Sequence, residues 1–132
     1  MEAFEKLIQS GKIRHAGVSN YSVDQFKLAN TITNVVSNQV PYSMIKRDIE
    51  NDLIPHALET KKSILAYSPL GRGILTGKLK ADHQFAVGDH RAKLPAYSNE
   101  NIKRINVFLD KLRPLAEEKN ASLSQLVIRW TV

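Results

Sequence analysis

Three short polar segments and one glycine-rich run hold the side chains of this 132-residue sequence best suited to chemistry. Ser19-Asn20, Asn38-Gln39 and Tyr67-Ser68 combine amides and hydroxyls, which donate and accept hydrogen bonds at once. That set suits a ligand carboxamide, which presents a carbonyl oxygen beside an NH2 group. The same residue types cap helices and close turns, and a lone Tyr is more often a core aromatic than a stacking platform, so each pair by itself leaves two readings open. The run Ser68-Pro69-Leu70-Gly71-Arg72-Gly73-Ile74-Leu75-Thr76-Gly77-Lys78 is more specific. Its glycines let backbone N–H groups approach a ligand, while Arg72 and Lys78 add positive charge, a combination that accommodates a pyrophosphate. It has neither the GxGxxG order of a dinucleotide fingerprint nor the GxxxxGK[ST] of a P-loop, and a Gly/Pro-rich loop without a ligand is the competing reading.

Other chemistries find less support. The sequence has no cysteine, which removes disulfides, thiolate nucleophiles, iron–sulfur clusters and Cys-based zinc sites. His15, His56, His83 and His90 show no HExxH-type spacing, and His83 and His90, near Asp82 and Asp89, read as solvated residues rather than metal ligands. No GxSxG elbow is present. The net charge of +6 favours anionic partners, yet Lys and Arg are dispersed instead of gathered with aromatics, so nucleic-acid binding is not expected. With 42% hydrophobic and 24% charged residues the composition is that of a globular protein. No apolar run approaches the about 20 residues of a membrane-spanning helix, and the opening MEAFEKLIQSGK is unlike a secretory leader, so a cytoplasmic protein is expected.

The elements that must position these residues follow from periodicity. Phe4, Leu7 and Ile8 lie on one face of a helix closed by Gly11, and residues 13–18 read as a strand. Ser22 with Gln25 forms a capping box for a helix expected to bury Val23, Phe26, Leu28 or Ala29, and Ile32. Residues 35–40 make a second strand ending at Pro41. Asp48 to about Glu59 is a helix with Ile49, Leu53, Ile54 and Leu58 on one face and a kink or restart at Pro55, and residues 63–67 are a third strand. Strand starts 21 and 29 residues apart, with a helix in each gap, imply right-handed β-α-β units and parallel strands. Such folds bind ligands beyond the carboxyl ends of their strands, where the polar pairs fall. Residues 78–98 lack a period and read as a long surface loop, either a functional lid or a disordered segment. Two helices follow. One spans about 99–119, with Ile102, Ile105, Val107 or Phe108, Leu109 and Leu112 apolar and Pro114 bending it; the other starts at the capping box Ser122/Gln125 and buries Leu123, Leu126, Val127 and Trp130. The stop at Val132, inside an apolar helix, is abrupt.

Read together, residues 11–20 (GKIRHAGVSN), 38–43 (NQVPYS) and 66–78 (AYSPLGRGILTGK) resemble the aldo-keto reductase family, and residues 124–130 (SQLVIRW) resemble its helix before the last barrel strand. The resemblance implies an α/β fold, a partial (β/α)8 TIM barrel of about strands five to seven with their helices. It also implies reduction of aldehydes and ketones to alcohols with NADP(H), or occasionally NAD(H). Ser19, Asn20 and Gln39 would hold the nicotinamide carboxamide, Tyr67 would stack on the nicotinamide, and Ser68, Leu70, Gly71, Arg72 and Gly73 would line the pyrophosphate. The family's Asp, Tyr, Lys and His tetrad maps to no residue here, so no catalytic residue is assigned and the isolated chain is expected to be inactive. A closed barrel needs about 250 residues, so residues 1–132 read as a partial reductase domain lacking the N-terminal half and the last strand. The expected partner is a small carbonyl substrate. The alternatives are a non-catalytic assembly module, in which open strand edges and an uncovered apolar sheet face drive self-association, and an unrelated doubly wound domain.

Overall fold

The computed structural model describes residues 1–132, whose contacts gather into two compact units. The first comprises residues 1–42 and 46–67, the second residues 43–45 and 68–132.

In the first unit, α1 (Glu2–Gln9) precedes β1 (Ala16–Ser19), α2 (Val23–Asn30), β2 (Val35–Pro41), α3 (Leu53–Thr60) and β3 (Ser63–Tyr67). The strands form one parallel sheet in the order β1-β2-β3, as the spacing of their starts predicts. The first strand is shorter than expected, and its register slips between Ala16 and Gly17. The Ser22/Gln25 capping box is present in full and starts α2. Pro55 marks a restart, not a kink. The expected long helix divides into a 3-10 turn, Asp48–Glu50, and α3, which Asp52 caps by accepting from the Leu53 N–H and whose first turn tolerates the proline.

Phe26 and Ala29 of α2, Val35 and Val40 of β2 and Leu53 of α3 make the core of this unit, joined by partly buried Val18 and Ile64. Leu28, Ile32 and Leu58 stay exposed, because the apolar arc on these eight-residue helices is narrower than the periodicity suggests. Likewise α1 buries none of its residues, and Phe4 is exposed. The other face of the sheet corrects an expectation. Register partners share a face, and the rows Gly17–Ser37–Ser63, Ser19–Gln39–Leu65 and Pro41–Tyr67 run across it, so it is mostly polar, with Leu65, Pro41 and Tyr67 gathered toward the carboxyl ends of β2 and β3.

In the second unit, the glycine-rich run folds as 3-10 turns over Gly71–Thr76 and leads through a long connection to α4 (Asn99–Glu118) and α5 (Leu123–Trp130). Ile74, Leu75, Leu79, Tyr97, Ile102, Leu109, Leu123 and Val127 form its core. Ile105 and Leu112 pack partly against it, whereas Val107 and Phe108 are exposed, as is Trp130 at the end of α5. Residues 78–98 are therefore not structureless. Leu79 and Tyr97 anchor the connection in the core, and His90–Lys93 and Pro95–Tyr97 form 3-10 turns. The Ser122/Gln125 box caps α5.

A Cβ on Gly17 would lie 2.5 Å from Ser37 Oγ. The Ser37 hydroxyl can turn away, so Gly17→Ala is expected to cost less than about 1 kcal/mol in urea unfolding, with the loss recovered when Ser37→Ala is added. Strictly additive losses in that double-mutant cycle would show that the Ser37 contact does not set the cost.

Candidate functional site

Parallel strands end together, and the residues at those ends meet. Ser19, the last residue of β1, is in register with Gln39 of β2, and Pro41 with Tyr67, the last residue of β3. The Gln39 carbonyl oxygen accepts two bonds, from the Ser19 hydroxyl at 2.9 Å and from the Asn20 N–H at 2.9 Å. Asn20 follows in a left-handed conformation, φ 59°, which Asn tolerates better than most residues. The Tyr67 hydroxyl donates to Asn20 Oδ1 at 3.1 Å, so the Asn20 NH2 is left to donate outward. Ser19, having given its proton to Gln39, keeps lone pairs with which to accept. The Gln39 side chain is exposed. The outcome is a donor, an acceptor and a second amide beside an aromatic ring, the complement of a planar carboxamide.

The neighbouring Asn38 has a different task. It is fully buried, its Nδ2 donates to the Tyr21 carbonyl at 2.8 Å, and its Oδ1 accepts from the Tyr21 N–H at 3.4 Å. Strand alternation separates it from Gln39: one amide faces out to solvent, the other pins the turn carrying Asn20. Beside this turn lies a concavity of about 360 Å³ lined by Asn20, Tyr21, Pro41, Asp48 and Asp52 among others. Two carboxylates make it a poor receptor for phosphates. Farther along, Glu50 accepts from the Tyr42 hydroxyl at 2.8 Å and from the Arg47 guanidinium at 2.8 and 2.7 Å. The Arg47 bond holds the Glu50 carboxyl below its ordinary range, and burial followed by Glu50 pushes the Tyr42 phenol up.

In the second unit, Ser68 (φ 55°), Gly71 (53°), Arg72 (51°) and Gly73 (99°) all take left-handed backbone. The Gly71 N–H bonds the Ser68 carbonyl at 2.8 Å and the Gly73 N–H bonds the Leu70 carbonyl at 3.0 Å. These glycines thus shape the loop and spend their own donors inside it, a correction to the expectation that their N–H groups face a ligand. The cations remain. Arg72 and Lys78 are exposed, while Ile74 and Leu75 hold the loop's other side in the core.

Asp89, Arg91 and Tyr97 escape the sequence reading, although the Asp-x-Arg spacing was a visible signal. The Tyr97 hydroxyl donates to the Gly71 carbonyl at 2.7 Å, and Arg91 Nη1 donates to the Arg72 carbonyl at 3.3 Å. Arg91 also grips the Asp89 carboxylate, with Nη2 2.6 Å from Oδ2 and Nε 3.0 Å from Oδ1. These bonds, reinforced by the Arg91 N–H, hold the Asp89 carboxyl at about 2, below the ordinary aspartate value of 3.8. A depressed carboxyl pKa stabilises the fold above the unfolded value, and the contribution disappears as pH falls through the folded value. Asp89→Asn is therefore expected to lower the melting temperature at pH 7, with the gap closing between about pH 4 and about pH 2. A gap equally wide at pH 7 and pH 2 would contradict this assignment.

Residues 1–132 match the model of the aldo/keto reductase family. An uncharacterized oxidoreductase of Mycobacterium tuberculosis is 37% identical over 134 aligned residues, covering all of this chain and 41% of the relative. An aldo-keto reductase of Strobilurus tenacellus is 33% identical, over 97% of this chain and 39% of that protein. Among solved structures, a glycerol dehydrogenase from Gluconobacter oxydans superposes with a TM-score of 0.93 at 34% identity, over 98% of this chain and 40% of that one. An aldo/keto reductase from Klebsiella pneumoniae, in complex with NADP and acetate, gives 0.65 at 25% identity, over 98% of this chain and 38% of that one. The chain thus spans about two fifths of the length of the relatives it matches, and its three parallel strands correspond to an open part of their TIM barrel. With the family match running from the first residue to the last, the chain belongs to the aldo/keto reductase family.

Proposed function

We propose that this chain supplies part of the NADP(H) site of an aldo-keto reductase that reduces aldehydes or ketones to alcohols, NAD(H) being the less frequent choice in such enzymes. The observation that carries this reading is the meeting of Ser19, Asn20, Gln39 and Tyr67 at the strand ends, in a chain matched by the family over its whole length. The relative solved with NADP supports the choice of cofactor.

The donor set fits such a cofactor. Asn20 and Gln39 offer amides and Ser19 a lone pair to the carboxamide, and the Tyr67 ring offers a flat face that fixes which side of the nicotinamide meets the substrate. Ser68, Leu70, Gly71, Arg72 and Gly73 would line the pyrophosphate, with the Arg72 guanidinium as its charge partner. When bound, the nicotinamide supplies a hydride to the carbonyl carbon. Transfer also needs a general acid for the carbonyl oxygen, and no residue of this chain takes that part. In this reading residues 1–132 are a partial reductase domain, completed by the strands that carry the tetrad and by the last strand. A cytoplasmic location is proposed with it; no helix is long and apolar enough to cross a membrane.

Titrating NADPH into the chain by calorimetry is expected to give saturable binding that Tyr67→Ala weakens about tenfold, the size of an aromatic stacking contact. No saturation at millimolar NADPH, or equal affinity for the two proteins, would contradict the proposed site. With a nitrobenzaldehyde as substrate the chain alone is expected to show no turnover, and ordinary reductase rates would overturn the proposed lack of a general acid.

A second reading rests on the sheet itself. β1 and β3 each pair on one side only, leaving a row of backbone donors and acceptors on either edge. Self-association through these edges is expected in light scattering, and a monomer at every concentration would exclude it.

A further inference from the structure

The connection from Gly77 to α4 meets the glycine-rich loop at two consecutive carbonyl oxygens, those of Gly71 and Arg72. Both residues sit in left-handed backbone, which persists only where the surroundings over-determine it. Arg72 bears a side chain there, so the demand on its surroundings exceeds that of a glycine. The groups that meet it are themselves immobilised. Tyr97 is buried, its ring edge-on to Phe85 with centroids 6.0 Å apart. Arg91 lies 5.3 Å above the Phe85 ring and is tied to Asp89 through both its backbone N–H and its guanidinium. Pairing with Asp89 also consumes the charge of Arg91, so that arginine serves geometry while Arg72 remains the loop's exposed cation. Arg72 Nη1 in turn lies 3.2 Å from His90 Nε2.

We propose that Asp89, Arg91 and Tyr97 are positioning residues: they latch the Ser68–Thr76 loop in its anion-receiving shape, so that cofactor affinity depends on three side chains acting through the carbonyls of Gly71 and Arg72. What the loop receives rests on the pyrophosphate reading above; the latch rests on the contacts alone. A loop released from Tyr97 and Arg91 samples ordinary right-handed backbone at Arg72, which turns the guanidinium away and lowers the fraction of molecules competent to bind.

Two readouts on the same variants separate the latch from the site. Hydrogen exchange in the unliganded chain reports the loop through the Gly71, Gly73 and Leu75 amides, which bond back to Ser68 and Leu70. Tyr97→Phe deletes one oxygen and Asp89→Asn frees Arg91, and each is expected to speed exchange at residues 70–75 about tenfold, the amides of β2 being unaffected. Calorimetry is expected to show NADPH binding weakened by a similar factor, with affinity largely restored in Asp89→Glu, which keeps a carboxylate within reach of Arg91. Ala116→Gly, a destabilising change elsewhere in the same unit, is expected to leave affinity unchanged; loss of affinity there as well would reduce the effect to stability and overturn the positioning role. Unchanged loop exchange in both Tyr97→Phe and Asp89→Asn overturns the latch. Faster exchange with unaltered affinity overturns its link to the cofactor. If the wild-type chain binds no NADPH while loop exchange still responds, the pyrophosphate reading fails and the latch stands.

Discussion

The pairing of β2 with a strand on either side is the constraint from which the first unit follows. A central parallel strand satisfies its backbone only if both neighbours run beside it in register, and each connection must then carry a helix back over one face. That requirement places α2 and α3 on the side of Val35 and Val40 and leaves the side of Ser37 and Gln39 bare. It also brings three chain reversals to one end. There the Gln39 carbonyl, at the limit of the ladder, takes up both the Ser19 hydroxyl and the Asn20 N–H, and the Tyr67 hydroxyl closes onto Asn20. The candidate carboxamide site is thus the unfinished edge of a hydrogen-bonding pattern, whose unspent groups face outward.

The second unit solves a different problem. A loop that must turn sharply through four left-handed residues has no ladder to hold it, and its own short-range bonds, Gly71 to Ser68 and Gly73 to Leu70, secure turns but not their orientation. Orientation comes from apolar anchors, Ile74 and Leu75, on one side, and from hydrogen bonds by Tyr97 and Arg91 on the other. The division of labour between the cations follows from pairing. Arg91 is neutralised and half-buried, Arg72 is exposed.

What the sequence disclosed and what it concealed divide along physical lines. Strand order and parallel pairing were legible because starts 21 and 29 residues apart leave room for one helix and little else. Both capping boxes were legible because they are local, Ser and Gln three residues apart. Ser19, Asn20, Gln39 and Tyr67 stood out as polar residues at strand ends, their individual roles followed from a resemblance, and the convergence of their polar groups from the register. Burial was less legible. Leu28, Leu58 and Trp130 look like core residues by periodicity, yet the eight-residue helices that carry them present only a narrow arc inward, and Val107 stays exposed on the longer α4. Asn38 and Gln39 are indistinguishable as neighbouring amides, and only the pleat of β2 assigns one to structure and the other to solvent. The Asp89–Arg91 pair is local and its spacing visible, but what Arg91 and Tyr97 hold was hidden for another reason: their partners are backbone carbonyls 19 and 26 residues away, which leave no trace in residue types.

The proposed reading, in which this chain supplies part of an NADP(H) site, is tested most directly by amide chemical-shift mapping of the 15N-labelled chain with NADP+. The account predicts saturating perturbations at Ser19, Asn20, Gln39 and Tyr67 together with residues 68–73. A shorter probe lacking the nicotinamide, such as inorganic pyrophosphate, should move only the latter. Perturbations confined to other residues, or none at saturating NADP+, would contradict it.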